Sequence, residues 1–479
     1  MPDLSRNRRL LILAICCMSL LIVGMDTTII NIALPALHSD LHASLSDLQW
    51  TVDAYTLVLA SLLVLSGSTA DRLGRRRTFQ TGLVVFTIGS LLCSIAPGLG
   101  WLVAFRMVQA VGGSMLNPVA MSIITNVFTD RRERAFAIGV WGGVVGISLG
   151  LGPLIGGVLI DSVGWRGVFW INIPIGLAAI VLAALFVPES RAPKLRRPDA
   201  LGQTLVVVAL ASLTYAIIEA PHRGWTSVST LALLAASVAA AVGLERYERR
   251  RDEPLIDPRF FRSIPFSGAT VTAVCAFGGF AGFLFLNTLY LQDVRGDSAL
   301  VAGLCTLPLA AVTLVAAPLS GRLVGTRGPR IPLLIAGTCM AVAAIMLVRI
   351  DAGTSIGWLL ASYSVYAVGF GMVNAPITNS AVSGMPNSQA GVAAAIASTS
   401  RQVGATLGVA VVGSVLNSGL GAQHVSSGFV AASSGGWWIV VGCGVAVLAL
   451  GAVSTGRWAR STTDRAAHLF GDQTQLVTA

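Results

Sequence analysis

Residues 10–34 read LLILAICCMSLLIVGMDTTIINIAL, an apolar run broken by a single charge, Asp26. As a helix it would be roughly 37 Å long, enough to cross a hydrocarbon core of about 30 Å. Arg6, Arg8 and Arg9 precede it, as they would in a secretory leader. No small-residue cleavage site follows, however, and the run is too long for the removable part of such a leader. It therefore reads as a first membrane span. The composition agrees: hydrophobic residues are 54% of the 479 positions and charged residues 11%, against about 25% charged in a soluble domain. So few charges could not cover a soluble surface of this size. An all-α membrane protein is expected.

Further apolar blocks lie near residues 48–70, 79–95, 102–124, 135–159, 168–187, 201–218, 228–244, 266–291, 300–323, 331–348, 356–377, 391–416 and 437–453. The prediction is 14 transmembrane helices arranged 6+2+6. Residues 1–190 would form one six-helix bundle, and 191–262 a linker with two inserted helices. Residues 263–460 would form a second bundle, and 461–479 a cytoplasmic tail. Positive charge tests this count, because a missed helix inverts every later loop. With both termini cytoplasmic, 26 basic residues fall inside and four outside, the latter being Arg166, Arg223, Arg295 and Arg349. Arg106 and Arg401 fall within spans.

That distribution also explains the net charge of +10. The arginines sit in short loops beside apolar runs, where they set topology, so no nucleic-acid partner is expected. The one lysine, Lys194, lies in no phosphate-binding loop, which excludes an ATP-driven pump within this chain. The seven cysteines lie in apolar segments without a C-x-x-C pair and read as small buried hydrophobes. His38-Ser39-Asp40-Leu41-His42 is the best metal candidate. It lacks a third ligand and reads as a polar outer loop. No metal, cofactor or enzymatic activity is expected.

Charges inside a bilayer cost about 2.5–3.5 kcal/mol each, so each needs a reason. Rise per residue places Asp26, Asp53 and Arg106 in the outer half of the membrane at comparable depth. Burial raises a carboxylate pKa and a neighbouring guanidinium lowers it, so rearrangement among such groups can load and release a proton. The carboxyl half has no acidic residue deep in a span. Its polar groups include Asn287, Gln292, Asn374, Asn379, Arg401 and Gln402. Arg401, near the midplane, could snorkel, bond helix carbonyls or face an anionic substrate.

An internal repeat accompanies this asymmetry. Gly67-Ser68-Thr69-Ala70-Asp71-Arg72-Leu73-Gly74-Arg75-Arg76 after the second span weakly resembles Gly321-Arg322-Leu323-Val324-Gly325-Thr326-Arg327-Gly328-Pro329-Arg330 after the tenth, with glycines seven apart and trailing arginines in both. Two copies of a six-helix unit suit a rocking transporter with its site at their interface. Gly67 and Gly74 would allow a tight inner turn. Asp71 has no counterpart in the second copy, where Gly325 stands.

Taken together, these segments resemble the major facilitator superfamily, specifically its fourteen-span drug:proton antiporter branch. The loop Gly67 to Arg77 looks like the superfamily's loop between helices two and three. Arg106-Met107-Val108-Gln109-Ala110-Val111-Gly112-Gly113 resembles the fourth-helix arginine motif, with Ala110 replacing a glycine. The run from Gly146 through Gly150, Gly152, Pro153, Gly156 and Gly157 is similar to the fifth-helix antiporter motif. Met25-Asp26-Thr27-Thr28 through Asn31, Ala33 and Pro35 looks like the first-helix motif of the branch. Trp50-Thr51-Val52-Asp53-Ala54-Tyr55 and the stretch from Trp165-Arg166 to Asn172-Ile173-Pro174 agree with it.

The resemblance implies a major facilitator fold in the cell's inner (plasma) membrane. It implies a proton-coupled antiporter, driven by the proton gradient without a cofactor, that exports small amphipathic drugs or antibiotics by alternating access. An importer or a lipid or metabolite transporter of the same fold is the alternative. Asp26, Asp53 and Arg106 would couple protons. Gly67, Asp71, Arg72, Gly74 and Arg75 would form the gating motif, with Asp71 approaching a helix N-terminus. Substrate would meet Asn31, Trp50, Tyr55, Gln109, Asn287, Tyr290, Asn374 and Arg401, with Phe277, Phe280 and Phe283 as further lining. The expected partners are that substrate, protons and membrane lipids, around a monomer.

Overall fold

A computed structural model of the chain describes residues 5–191, 199–251, 254, 257–383, 385, 390–421, 423–456, 458–459 and 461–463. Lys194, Arg196, Arg197, Arg457, Arg460 and Arg465, used above in the charge count, lie outside the described residues, as does most of the expected tail. The long helices are α1 (Arg6–Leu41), α2 (Leu45–Leu73), α3 (Arg75–Ser94), α4 (Leu99–Val127), α5 (Arg131–Val163), α6 (Gly167–Phe186), α7 (Ala200–Arg223) and α8 (Val228–Glu248). They continue with α9 (Ile264–Val294), α10 (Ala299–Arg327), α11 (Arg330–Leu347), α12 (Ile356–Val382), α13 (Ala390–Leu420) and α14 (Val425–Ser454).

Eleven of these are long and apolar enough to cross a membrane among the described residues, or 12 if α2, bent by 52°, counts as one crossing. In α3, three arginines and several Thr, Ser and Gly residues dilute the apolar character. In α5, the apolar helix that stands out is Gly150–Val163.

The chain divides into two compact units. Unit 1 is Met1–Ala200 with Asp297–Leu304, and unit 2 is Leu201–Gly296 with Cys305–Ala479. Within unit 1 the main pairings are α1 with α5, α2 with α4, α3 with α4 and α6, and α1 with α4 and α6. Unit 2 repeats them in order: α9 with α13, α10 with α12, α11 with α12 and α14, and α9 with α12 and α14. The short sequence repeat thus marks a whole repeated bundle. In unit 2, α7 and α8 are tied by the Ser237 hydroxyl donating to the Ala209 carbonyl at 2.8 Å.

Two local readings change. The first helix runs past Pro35 to Leu41 and ends at His42, whose φ of 48° is left-handed. The expected polar loop around His38 is therefore mostly the last turn of α1. Proline lacks an N–H, yet the helix tolerates it here, and the Ser39 hydroxyl bonds the Pro35 carbonyl at 3.0 Å. His38 Nδ1 lies 2.6 Å from the Ala43 carbonyl. Asp40 accepts from Trp165 Nε1 at 2.7 Å and Arg166 Nη1 at 3.2 Å. Gly67, expected in a turn, lies inside α2 with room around it. Gly74 alone makes that turn, with φ +112°.

Candidate functional site: a buried charge node in unit 1

Asp26 on α1 and Arg106 on α4 meet inside unit 1, 0% and 1% exposed, with Asp26 Oδ2 accepting from Arg106 Nη1 at 2.5 Å. Gln109, one turn below Arg106, donates to Asp26 Oδ1 at 2.8 Å. Asn172 on α6 donates to the same oxygen at 3.1 Å. The arrangement closes on itself. Gln109 Oε1 accepts from Arg106 at 2.8 Å, and the Gln109 amide also donates to Ser90 on α3 at 2.8 Å. Arg106 Nε donates to the Thr51 carbonyl of α2 at 3.3 Å. The guanidinium lies over the Tyr55 ring at 4.2 Å and near Phe169 at 5.8 Å. Five helices therefore contribute to one ion pair. A buried pair is tolerated only when its remaining donors and acceptors are satisfied in this way.

Asp53 is treated differently. It is fully buried, yet neither carboxylate oxygen has a hydrogen-bond partner among the described residues. Helical periodicity explains the separation. Thr51 and Tyr55, four apart, share the face toward Arg106, while Asp53, midway, points about 200° away. The structure therefore brings Asp26 and Arg106 together and leaves Asp53 apart. Ser90, Asn172 and Phe169 belong to the node and were not legible in the sequence. The asparagine was visible only as part of a longer motif.

The glycines of α5 seat this node. A methyl at Gly152 would fall inside contact distance of the Thr28 hydroxyl, and one at Gly156 would stand 2.6 Å from Ile29 Cγ1. Only bare backbone lets α5 lie so close to α1, within one turn of Asp26. Gly157 approaches Ala299 and Leu300, and Gly303 approaches the Pro153 carbonyl. The Leu300 N–H donates to Asp161 Oδ2 at 3.1 Å. Gly150 is buried on the same helix, while the surroundings of Gly146 lie outside the description.

At the other end of α2, Asp71 pairs with Arg75 at 3.2 Å. The turn at Gly74 is held by a residue that sequence reasoning passed over. Glu189 accepts from the backbone N–H of Arg76 at 3.1 Å and of Arg77 at 3.3 Å. It thereby caps α3, which has no side-chain cap of its own. A Cβ at Gly74 would stand 2.5 Å from Glu189 Oε1. The Arg75 N–H donates to the Ser190 carbonyl at 2.9 Å. Arg72 is exposed.

Where unit 1 has its ion pair, the equivalent helices of unit 2 meet through aromatic rings. Phe280 stacks on Phe370 at 4.0 Å and Phe283 on Tyr366 at 4.5 Å. Trp437 meets the Phe283 edge at 5.9 Å. Phe277 meets Phe370 at 5.2 Å. Asn287 accepts from the Tyr363 hydroxyl. Tyr290 donates to the Asp351 carbonyl at 2.6 Å. Arg401 donates to the Thr378 hydroxyl at 2.6 Å, with Phe277 at 5.9 Å. Of the residues expected to meet substrate, Tyr55, Gln109, Asn287 and Tyr290 are packed inside their own units, and Asn31 is 5% exposed. Trp50, Asn374 and Arg401 keep accessible surface.

Many apolar spanning helices in two repeated bundles, one carrying an ion pair at its centre, define a polytopic membrane transporter, not an enzyme. The chain belongs to the Major Facilitator Superfamily, whose profile matches residues 16–409. It is 36% identical over 408 residues to the multidrug resistance protein Stp of Mycobacterium tuberculosis, covering 85% of this chain and 75% of that protein. It is 37% identical to the tetracenomycin C resistance and export protein of Streptomyces glaucescens, covering 84% and 74%. It is 32% identical to the multidrug efflux pump LfrA of Mycolicibacterium smegmatis, covering 86% and 82%. A bacterial homolog of the human lysosomal transporter Spinster, in an inward-facing and unoccupied conformation, shares the fold with a TM-score of 0.65. Its sequence identity is 17%, over 97% of this chain and 98% of that one. The chain is a multi-pass protein of the plasma membrane.

Proposed function

We propose that this protein is a proton-coupled antiporter that exports small amphipathic compounds, drugs or antibiotics among them, by alternating access. The observation that carries the reading is the contrast between two buried carboxylates in one unit. Asp26 has a cation and two amide donors, and Asp53 has no partner among the described residues. A carboxylate removed from water without a partner is accommodated as the neutral acid. A carboxylate in contact with a guanidinium is accommodated as the anion. One unit thus offers a partnered and an unpartnered acid on adjacent helices. In the cycle, a rearrangement that frees Asp26 from Arg106 lets it take a proton from outside. Re-forming the pair expels that proton inside. Relatives named for drug and antibiotic efflux support the outward direction for the substrate.

The proposed topology is fourteen spans as 6+2+6, with both termini cytoplasmic. The charge bias supports it, as does the length of α3, whose 20 residues reach about 30 Å. The Gly152 and Gly156 contacts give α5 its role here: they hold α1 at a distance that any Cβ would change.

The test is transport in proteoliposomes under an imposed pH gradient. Asp26→Asn is expected to abolish uphill export while leaving downhill equilibration of substrate. Asp53→Asn, which mimics the neutral acid, is expected to fold normally and weaken the pH dependence. Undiminished uphill export by Asp26→Asn would remove that residue as the proton carrier.

A further inference from the structure

Beside the Gly74 turn lies a cavity of about 390 Å³, lined by none of the residues of the buried charge node. Its walls are the facing ends of α2 and α3, with Met115 of α4 as a floor and Arg191 closing one side. The volume falls within the ~300–1,000 Å³ of small-molecule sites. Its polar lining is three arginines and three threonines. Arg72 and Arg191 are exposed and make no ion pair among the described residues. Arg77 makes one loose contact, 3.8 Å from Glu189, with its side chain 71% exposed. Of the three threonine hydroxyls, Thr69 donates to the Leu65 carbonyl and Thr78 to the Gly74 carbonyl, while Thr81 is exposed. The charge offered to a ligand is all guanidinium, which suits planar or tetrahedral oxyanions.

The remaining surface is apolar. Leu73 is 61% exposed at the end of α2, next to Arg72. Met115 reaches the floor because Gly82 of α3 has no side chain; a Cβ there would stand 2.8 Å from Met115 Cβ. Three cations over an apolar floor, at the end of two membrane helices, match a molecule that is anionic at one end and greasy at the other. A free anion would leave Leu73 and Met115 facing water. A substrate of the transport cycle would have no reason to sit beside the Gly74 turn, away from the charge node.

We propose that this cavity binds the headgroup of an anionic phospholipid. Its phosphate would be held by Arg72, Arg77 and Arg191, and its glycerol end would rest on Leu73 and Met115. Placement in the cytoplasmic leaflet rests on the orientation proposed above; the binding itself does not. Because Arg77 also touches Glu189, a bound lipid would sit against the residue that caps α3.

The experiment is native mass spectrometry of the full-length protein in neutral detergent. It is titrated separately with dioleoyl phosphatidylglycerol, dioleoyl phosphatidylcholine and inorganic phosphate. Phosphatidylglycerol is expected to bind about tenfold tighter than phosphatidylcholine. Arg191→Gln, outside any helix, is expected to lower that preference roughly fivefold, and Arg72→Gln by a similar factor. Arg262→Gln, a basic residue elsewhere, should leave it unchanged. Equal binding of the two lipids, or an undiminished preference in Arg191→Gln, would overturn the proposal. Displacement of phosphatidylglycerol by an equal concentration of inorganic phosphate would overturn it too, by making this a free-anion site. Loss of the proposed proton-driven export with the lipid preference intact would count against the transport reading alone.

Discussion

Where unit 1 joins α1 to α4 through Asp26 and Arg106, unit 2 joins the equivalent pair, α9 and α12, through Phe280, Phe283, Tyr366 and Phe370. Asp26 and Phe283 each lie about twenty residues into the first helix of their bundle. The backbone pattern is shared, and the centre is filled in opposite ways. Aromatic pairs add about 0.5–1.5 kcal/mol each beyond the area they bury. Charges in a bilayer cost about 2.5–3.5 kcal/mol apiece before they find partners. Among the described residues, α9 and α12 of unit 2 meet without an ion pair between them. The one in unit 1 is therefore better explained by chemistry than by packing, which is why we assign proton handling to that unit.

The sharpest way to break this comparison is to remove one charge. Arg106→Ala leaves Asp26 buried and unpaired, which should destabilise the protein by about 3–5 kcal/mol and abolish export. Thermal denaturation in detergent and proteoliposome efflux read the two effects. Adding Asp26→Asn to Arg106→Gln should restore much of the folded yield without restoring proton-driven export. Recovery of both would mean the node is structural.

In unit 2, Phe283→Ala should cost a similar 3–5 kcal/mol through the cavity it leaves. Any transport that remains should keep the native pH profile, and a shifted profile would spread proton coupling to both units. Next in size is the packing that serves the node. Gly152→Ala should cost about 1–3 kcal/mol by overpacking α5 against α1. Thr28→Ala in the same chain should recover part of it, as read by melting temperature. The smallest expected effect is at the Gly74 turn. Glu189→Ala should lower stability by about 0.5–2 kcal/mol, the value of a lost helix cap, and slow export without shifting its pH dependence.

Much of this was legible in the sequence because membrane spans and buried charges are strong one-dimensional signals. An apolar run of 25 residues containing Asp26 has few alternative readings, and the repeated glycine spacing at 67–74 and 321–328 announced two bundles. Comparable depth grouped Asp26, Asp53 and Arg106 together, but depth does not give azimuth. Asp53 lies on the wrong face of α2, two residues from the positions that reach Arg106. Ser90, Asn172 and Glu189 were hidden for a different reason. Each is an ordinary polar residue whose role appears only when helices distant in sequence converge, as when Glu189 caps a helix 113 residues away. Hydropathy ended α1 too early, because the helix continues through Pro35 into the polar residues up to Leu41.

Central to the proposed mechanism is an unpartnered Asp53 held as the neutral acid beside an Asp26 paired with Arg106. Infrared spectroscopy of the purified protein tests this directly, through the carbonyl stretch of a protonated carboxylic acid at neutral pH. We predict such a band in the native protein, retained in Asp26→Asn and lost in Asp53→Asn. A band that survives Asp53→Asn, or that disappears with Asp26→Asn alone, would contradict the assignment.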